Sequence, residues 1–292
     1  MQVSVVIPTY NRSNTLTRAI NSVLKQTYPV KEIIIVDDNS SDNTSEVIET
    51  FKDPRIRYLV NKENQGGAFS RNRGIVASEG DVIAFQDSDD EWVKEKLELQ
   101  MPFIDKGTAD VVCSSYNQII QKKSNKIPQF DVKEDEDFYT KLLWGNFIGT
   151  PTIVAKKNVL ISEMFDESLP RFQDWELMIR ISHKYKIAFI NSPLVDAYLQ
   201  NNSLTRNDLN GIKALEIIML KQNQFFIENN ELKSHYYRMM ALLSFDSKKN
   251  QKKYFSQAYM LNNKNLKLTI DFLLSQFNLF RLIEIIHKYK RR

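Results

Sequence analysis

The chain has 292 residues, of which 42% are hydrophobic and 26% charged, so it can bury a core as one large domain with an appendage or as two modest domains. Its single cysteine, Cys113, excludes an intramolecular disulfide framework and a multi-cysteine zinc site, and it suits a reducing compartment. No basic leader precedes the first apolar residues, and no uncharged apolar stretch approaches the roughly 20 residues that cross a bilayer. We therefore expect a cytoplasmic protein, either soluble or bound peripherally to the inner face of the membrane.

Charge is distributed unevenly along the chain. The net charge is +4, yet residues 207–292 hold 15 Lys and Arg against 7 Asp and Glu, a balance of +8, and residues 1–206 carry −4. This asymmetry predicts a boundary near Arg206, with domains at 1–206 and 207–292 that meet different partners.

Strands and helices alternate in the first third of the chain. Short β-branched runs predict strands at 3–7, 32–36, 56–59 and 82–85, and apolar residues at helical spacing predict helices at 14–26, 44–51 and 67–77. This alternation predicts βαβ units and a mostly parallel α/β sheet with helices on both faces. Ligands bind such sheets beyond the carboxyl ends of the strands, and polar clusters at 8–11, 37–42 and 87–90 follow three strands.

The pattern is looser after residue 90. It predicts helices at 92–99, 138–144 and 175–183, strands at 110–116, 152–155, 187–190 and 195–199, and a polar loop at 122–137. Beyond Arg206 only helices are predicted, at 211–230, 231–246 and 266–289, with a basic run at 248–253 between them.

The acidic stretch Asp87-Ser88-Asp89-Asp90 follows an apolar strand. Closely spaced carboxylates at a strand end form a hard oxygen site for Mg²⁺ or Mn²⁺, which can stabilise a diphosphate leaving group. The alternative interpretation is an acidic turn that caps the next helix.

Two further loops have the composition of ligand sites. Asp42 and Thr44 suit a helix start, whereas Asp37 and Asp38 come too early for that and can accept from a base edge such as the imide N–H of uracil. The loop at 64–74 has glycines, including Gly66, that let backbone approach a ligand, and it supplies Arg71 near a helix N-terminus that suits phosphate.

Four ordered stretches, at 3–12, 36–44, 64–74 and 85–92, together resemble the family-2 glycosyltransferases of the GT-A fold over about residues 1–206. The resemblance implies an inverting, metal-dependent hexosyl- or N-acetylhexosaminyl-transferase of the bacterial surface-polysaccharide type. Its donor would be a nucleotide sugar, a UDP-sugar first of all. Its acceptor would be a hydroxyl of a glycan, lipid-linked or protein-linked molecule.

The resemblance also assigns roles to single residues. The donor would be bound by the segment Pro8, Thr9, Tyr10 and Asn11 at its nucleobase, by Asp38 at the base edge, by Gly66 and Arg71 near the diphosphate, and by Asp87 and Ser88. Asp89 would be the direct metal ligand, with Asp87 beside it on the ribose or the ion.

A later acidic motif at 172–177 resembles the segment that carries the catalytic base of the family. The resemblance places Asp174 on the general base that deprotonates the acceptor hydroxyl, so that no covalent intermediate is needed. The alternative is that Asp174 caps the following helix, in which Glu176 and Arg180 form an ordinary i,i+4 pair.

The chain departs from the family pattern at two places. Gln173 precedes the base where Glu is common, and Leu199 and Asn201 stand where the family often has Arg and His. The third metal ligand is therefore either the Asn201 amide oxygen or water.

The C-terminal helices allow two interpretations. Apolar residues from Leu266 to Ile283 share one helical face, and basic residues crowd the end of the chain. The face can pack on other helices or on a second copy in a homo-oligomer, or it can lie on an anionic membrane. Nucleic acid is not expected as a partner, since no recognised nucleic-acid motif accompanies the charge.

Two other functions are compatible with the same fold. One is a sugar-phosphate nucleotidyltransferase, which is disfavoured because the first loop has no glycine. The other is a catalytically inactive binding subunit, which is disfavoured because Asp38, Asp89 and Asp174 are all present.

Overall fold

A computed structural model describes residues 1–121, 123–133, 137–199, 208–244, 247–279 and 282–283. The strands are β1 Val3–Thr9, β2 Val30–Asp37, β3 Ile56–Val60, β4 Val82–Phe85, β5 Glu91–Trp92, β6 Val111–Ile120, β7 Lys123–Ile127, β8 Val154–Lys156 and β9 Ile187–Tyr198. The helices of the first two-thirds are α1 Ser13–Leu24, α2 Thr44–Glu49, α3 Gly67–Ala77, α4 Lys96–Asp105, α5 Phe138–Trp144, α6 Lys157–Glu163 and α7 Gln173–Lys184. Those near the C-terminus are α8 Asp208–Lys221, α9 Asn223–Glu228, α10 Asn230–Leu243, α11 Lys248–Leu261 and α12 Leu266–Gln276.

The strands form one sheet in the order β3-β2-β1-β4-β8-β6-β9-β5, with β7 paired to β6. Strands β1 to β4 pair in parallel, as do β6 and β9, while β8 runs antiparallel to both β4 and β6. All seven residues of β1 are buried, which is expected of an apolar strand covered on both faces. The predicted α/β class, a mostly parallel sheet with a helical C-terminal extension, is confirmed.

Parallel pairing brings the polar clusters to one edge of the sheet. Thr9 lies opposite Asp37 at the ends of β1 and β2, and Val6 lies opposite Phe85 at the end of β4. The residues that follow β2 and β4 therefore lie beside the end of β1.

Several elements differ from the sequence-based expectation. The helix predicted at 92–99 begins only at Lys96, because Glu91–Trp92 form β5 and pair with β9. The predicted loop at 122–137 contains β7, whose backbone pairs with β6. The two strands predicted at 187–190 and 195–199 are one bulged strand, β9.

Two helices were not predicted at all. One is α6; the other is α11, where the sequence shows a basic run at 248–253. In α11 the buried residues Gln251, Tyr254, Phe255 and Ala258 follow helical spacing, so lysines occupy only the remaining faces.

The chain divides into two compact units. The first contains Met1–Glu167 and Gln173–Asn201, and the second contains Ser168–Phe172 and Asn202–Arg292. The predicted boundary at Arg206 lies outside the described residues. Among the helices that the structure describes, none is both long and apolar enough to cross a bilayer.

A lysine is completely buried in the first unit. Lys96 places its Nζ atom 4.0 Å from the centre of the Trp92 ring and has no hydrogen-bond partner among the described residues. Burial lowers the pKa of Lys96 well below its ordinary value, against a smaller opposite effect of the neighbouring Cys113. Burial therefore disfavours the charged form of this amine.

Candidate active site

The first wall of the site is the turn after β1. Pro8 and Thr9 still belong to β1, which extends further than predicted, and the Tyr10 ring beyond them is 46% exposed. The Asn11 backbone has a φ of 50°, and its Oδ1 atom accepts hydrogen bonds from the backbone of Ser41 at 2.8 Å and of Asp42 at 3.3 Å. Asn11 thus ties the β1 turn to the β2 turn and leaves the Tyr10 ring open to a ligand.

Asp38 connects the β2 turn to the glycine loop. One of its carboxylate oxygens accepts from Asn61 Nδ2 at 2.7 Å and from the Gln65 N–H at 2.9 Å, and the other accepts from the Gly66 N–H at 2.7 Å. Because each carboxylate oxygen has two acceptor positions, the second oxygen keeps capacity for one further donor. Neighbouring Asp37 accepts from Tyr58 Oη at 2.6 Å. The Asp37 side chain therefore links the end of β2 to β3 and has a structural role.

The glycine loop opens helix α3. Gly66 has a φ of 91°, a conformation that glycine adopts without steric cost, and Gly67 begins the helix. One turn further, Arg71 Nη2 donates to Asp87 Oδ1 at 2.8 Å and Nη1 to Gln173 Oε1 at 3.4 Å. Arg71 thereby joins the loop after β4 to the start of α7.

The carboxylates of the acidic loop after β4 have two different roles, one in anchoring the loop and one in contacts with arginine. Asp90 is buried and accepts from the Tyr198 N–H at the end of β9 at 3.0 Å, so it anchors the loop. Asp89 forms an ion pair of 3.5 Å with Arg12, and its carbonyl oxygen accepts from Arg18, whose guanidinium lies 3.8 Å from the centre of the Tyr198 ring. The alternative interpretation, an acidic turn that caps the next helix, is wrong, since α4 begins only at Lys96. Ser88 is also buried.

Asp87 and Asp89 have the properties of a pair that shares a cation. Burial raises the pKa of Asp89, and the nearby Asp87 raises it further. Two crowded carboxylates gain from a cation between them, and Mg²⁺ in particular is commonly held by one or two carboxylates together with phosphate oxygens of a substrate. Among the described residues no group of three or more His, Cys, Asp or Glu side chains could hold a metal ion. The two carboxylates therefore fit an ion that the substrate helps to bind, and Asn201, the predicted third ligand, lies outside the described residues.

Asp174 is the second residue of α7 and faces the same region. Its Oδ1 accepts from the Trp175 N–H at 2.7 Å and from Asn146 Nδ2 at 3.4 Å, and its Oδ2 accepts from Thr150 Oγ1 at 3.3 Å. Residue Asp174 is half-buried, so part of it stays accessible to a ligand.

The electrostatic surroundings of Asp174 connect it to the acidic loop. Burial raises the pKa of Asp174 above its ordinary value; Asp87 adds to this, whereas Arg71 and the Thr150 hydrogen bond act against it. The predicted base and the predicted metal ligands thus influence one another. The Glu176–Arg180 pair also exists, at 2.8 Å, but it belongs to a buried cluster with Glu163.

Sequence reasoning did not identify several side chains that shape this edge. Arg12 and Arg18 come from the β1 turn and α1, and Asn146 and Thr150 come from the segment before β8. The contact of Arg12 with Asp89 spans 77 residues of sequence, and no local pattern signals such a pair.

Known proteins resemble this chain in sequence and in fold. The sequence profile described as "Glycosyl transferase family 2" matches residues 4–168, more than half of the chain. The chain is 33% identical over 213 residues to the UDP-Glc:alpha-D-GlcNAc-diphosphoundecaprenol beta-1,3-glucosyltransferase WfgD of Escherichia coli, covering 72% of this chain and 82% of that protein. It is also 33% identical over 208 residues to the amylovoran biosynthesis glycosyltransferase AmsB of Erwinia amylovora, covering 67% and 69%. Against an uncharacterized glycosyltransferase of Rickettsia felis, 35% identical, the match spans only 35% of that protein.

Solved structures show a similar fold. The complex of S. aureus TarS with UDP-GlcNAc superposes with a TM-score of 0.61 at 19% identity and covers 94% of this chain and 79% of that one. The mannosyltransferase PcManGT of Pyrobaculum calidifontis, in complex with GDP-Man and Mn²⁺, gives 0.64 at 16% identity and covers 99% and 82%. The predicted GT-A architecture is confirmed, and by sequence, fold and matched region this chain is a glycosyltransferase that belongs to glycosyl transferase family 2.

Proposed function

We propose that the chain transfers a sugar, with inversion, from a UDP-sugar to a hydroxyl of a lipid-linked glycan acceptor during bacterial surface-polysaccharide synthesis. One observation carries this proposal: the half-buried Asp174, held by Thr150, lies within the electrostatic reach of Arg71 and Asp87. A base and a pair of cation-binding carboxylates at one sheet edge are the groups that a direct displacement at an anomeric carbon requires. The named substrates of the Escherichia coli relative supply the choice of donor and acceptor class.

The donor side of the site follows from the β1 and β2 turns. The exposed Tyr10 ring offers a stacking surface to the nucleobase, and the free acceptor position of Asp38 suits an imide N–H. Pro8 and Thr9 form the base of this wall, and Asn11 fixes its shape. An acceptor for an imide N–H favours uracil, and therefore a UDP-sugar, as the donor.

The diphosphate side depends on the β4 loop. Arg71 is 14% exposed and already oriented by Asp87, so its guanidinium can meet phosphate oxygens without losing much side-chain freedom. The ion bound by Asp87 and Asp89, Mn²⁺ or Mg²⁺, would neutralise the leaving nucleoside diphosphate. The N-terminal end of α3, which follows Gly66, would add backbone donors for the diphosphate.

The acceptor side depends on Asp174. Its raised pKa makes it a better proton acceptor than an ordinary aspartate, and its hydrogen bonds to Thr150 and Trp175 fix the direction of the carboxylate. Asp174 takes the proton of the acceptor hydroxyl as that oxygen attacks the anomeric carbon from the side opposite the leaving group. Inversion follows because a single displacement occurs.

The test is a screen of nucleotide sugars with and without Mn²⁺. Metal-dependent release of UDP from a UDP-sugar, increased by a GlcNAc-diphosphate-lipid acceptor, is the expected result. Release of pyrophosphate from a nucleoside triphosphate would instead identify a sugar-phosphate nucleotidyltransferase. Binding of UDP without turnover of any donor would identify an inactive binding subunit.

Peripheral membrane contact belongs to the same proposal. Helix α12 and its C-cap residue expose one apolar stripe at the spacing of a single helical face, formed by Leu266, Ile270, Leu273 and Phe277. The exposed lysines Lys264 and Lys267 lie beside its first turn. An apolar stripe flanked by lysine suits an anionic lipid surface, where a lipid-linked acceptor would be found.

Vesicle co-sedimentation at low and high salt tests this contact. The intact protein should bind anionic vesicles at low salt, and removal of residues 281–292 should weaken binding while transfer to a soluble acceptor continues. If the intact protein binds no vesicle and light scattering gives twice the monomer mass, the stripe is instead the contact of a homo-oligomer.

A further inference from the structure

Tyr116 of β6 stands at the level of the acidic loop. Ala84 of β4 lies opposite Val154 of β8, and Val154 lies opposite Val112 of β6. Because β4 and β6 both run antiparallel to β8, they run in the same direction, and Tyr116, four residues beyond Val112, lies towards the sheet edge at which β4 ends. Strand β6 lies on the side of β4 away from β1 and β2, so Tyr116 is on the side opposite the donor turns.

The pairing of β6 with its neighbour β9 is irregular at this residue. The pairing of β6 with β9 passes from Ser115 opposite Pro193 to Asn117 opposite Asp196, and the register shifts between them. The extra residue of this bulge is on β9, where Pro193 to Asp196 face Ser115 to Asn117. The Tyr116 ring packs beside Gly149, where an added Cβ atom would lie 3.5 Å from Cε1, and the next residue, Thr150, donates to Asp174. The ring is therefore next to the segment that holds the base.

The hydroxyl of Tyr116 lacks a hydrogen-bond partner among the residues that the structure describes. Other half-buried tyrosines of the first unit have one: Tyr58 Oη donates to Asp37 at 2.6 Å and Tyr198 Oη to Glu91 at 3.4 Å. Burial raises the pKa of Tyr116, and the charges of Asp174 and Asp90 raise it further, so the phenol stays protonated as a donor. Such a phenol O–H group can donate to a ligand that supplies an acceptor oxygen.

We infer that Tyr116 is an acceptor-binding residue, whose hydroxyl donates a hydrogen bond to a hydroxyl or acetamido oxygen of the acceptor sugar close to the hydroxyl that Asp174 deprotonates. This inference rests on the proposed transferase activity. A sugar held at two oxygens, one at Asp174 and one at Tyr116, can present only one hydroxyl to the anomeric carbon. Tyr116 thereby contributes to the choice of linkage.

The variant Tyr116→Phe tests the inference, since it keeps the packed ring and removes only the hydroxyl. Tyr28→Phe is the matched control, because Tyr28 Oη donates to the Met1 carbonyl at 2.9 Å in an exposed position away from the acidic loop. The assay uses UDP-glucose with Mn²⁺ and GlcNAc linked through diphosphate to a short alkyl chain, together with single-deoxy and deacetylated analogues of that acceptor. Donor hydrolysis without acceptor and UDP affinity by calorimetry are measured on the same samples.

For Tyr116→Phe we expect kcat/KM for the acceptor to fall about 5- to 10-fold, the size of one neutral hydrogen bond. Donor hydrolysis and UDP affinity should not change, and Tyr28→Phe should behave as the unmodified protein. One acceptor analogue should lack the oxygen that Tyr116 binds. With the unmodified protein, its kcat/KM should be lower than that of the complete acceptor by the same factor. With Tyr116→Phe, removing that oxygen should cause no further decrease in kcat/KM. The inference would be overturned if Tyr116→Phe lowered donor hydrolysis as much as transfer. It would also be overturned if the kcat/KM ratio of variant to unmodified protein were the same for every acceptor analogue. No transfer by the unmodified protein with any UDP-sugar would overturn the proposed function, and this inference with it.

Discussion

Replacement of Asp174 by Asn separates catalysis from folding because the structure assigns its contacts atom by atom. The amide retains an oxygen for the Trp175 N–H at 2.7 Å and for Asn146 Nδ2 at 3.4 Å. Only the contact of Oδ2 with Thr150 Oγ1 at 3.3 Å must change, and the threonine hydroxyl can rotate to accept from the new NH₂ group. The free energy of unfolding should therefore change by no more than about 1 kcal/mol, the value of one neutral hydrogen bond.

The effect on turnover should be much larger. An amide cannot take a proton from the acceptor hydroxyl, and a positioned general base contributes roughly 10²- to 10⁴-fold. Each factor of ten is about 1.4 kcal/mol of barrier, so the barrier should rise by about 3 to 5 kcal/mol. Donor affinity should change little because Asp174 faces the acceptor.

The assay is UDP release under saturating donor and acceptor, with urea unfolding and UDP calorimetry on the same preparations. Asp137→Asn is a suitable control, since Asp137 also accepts an N–H at the start of a helix, from Thr140 at 3.2 Å, and has no place in the site. A folded Asp174→Asn protein with near-native turnover would refute the role of base and leave Asp174 as a helix-terminal residue.

Three further predictions follow from the same contacts. Asp89→Ala should abolish Mn²⁺-dependent UDP binding in calorimetry with the fold intact, and unchanged affinity would remove Asp89 from the metal site. Because the pKa of Asp174 is raised and the base acts deprotonated, kcat at saturating Mn²⁺ should fall with decreasing pH at a value above the ordinary aspartate pKa of about 4; a flat profile down to pH 4 would contradict this. Asp38→Ala should lower the free energy of unfolding by about 3 kcal/mol, since three donors lose their acceptor, and urea unfolding would reveal a smaller change if water replaces the carboxylate.

Sequence patterns predicted the helices and strands whose ends are set by neighbouring residues in the chain. Helix α3 and strand β4 have the predicted bounds, because a glycine loop opens one and polar residues follow the other. Strand β7 was missed because Lys123–Ile127 has no apolar alternation, and its backbone bonds to β6 stabilise it instead. Strand β5 has two residues and exists through its pairing with β9, about 100 residues later in the chain.

The candidate site also has a part that the sequence predicts and a part that depends on contacts distant in the chain. The convergence of the β1, β2 and β4 turns could be predicted because parallel strands bring their carboxyl ends together. The separate task of Asp90 could not, since the Tyr198 N–H that it accepts comes from 108 residues away. Asp90 and Asp89 are neighbours in an acidic run, and only the fold distinguishes an anchor from a candidate ligand.

The buried amine of Lys96 takes up a proton when the chain unfolds and exposes it to water. An exposed lysine binds a proton with a pKa near 10.4, whereas burial keeps the pKa of Lys96 far lower, so the unfolded chain binds more protons than the folded one. The free energy of unfolding should then rise with pH above the lowered pKa, by up to about 1.4 kcal/mol per pH unit for one proton. The rise should end near pH 9, where the Cys113 thiol begins to ionise in the unfolded chain while burial keeps it protonated in the folded one. Urea unfolding over a series of pH values should show this rise in the native chain and lose it in Lys96→Met, because only the native chain takes up this proton when it unfolds.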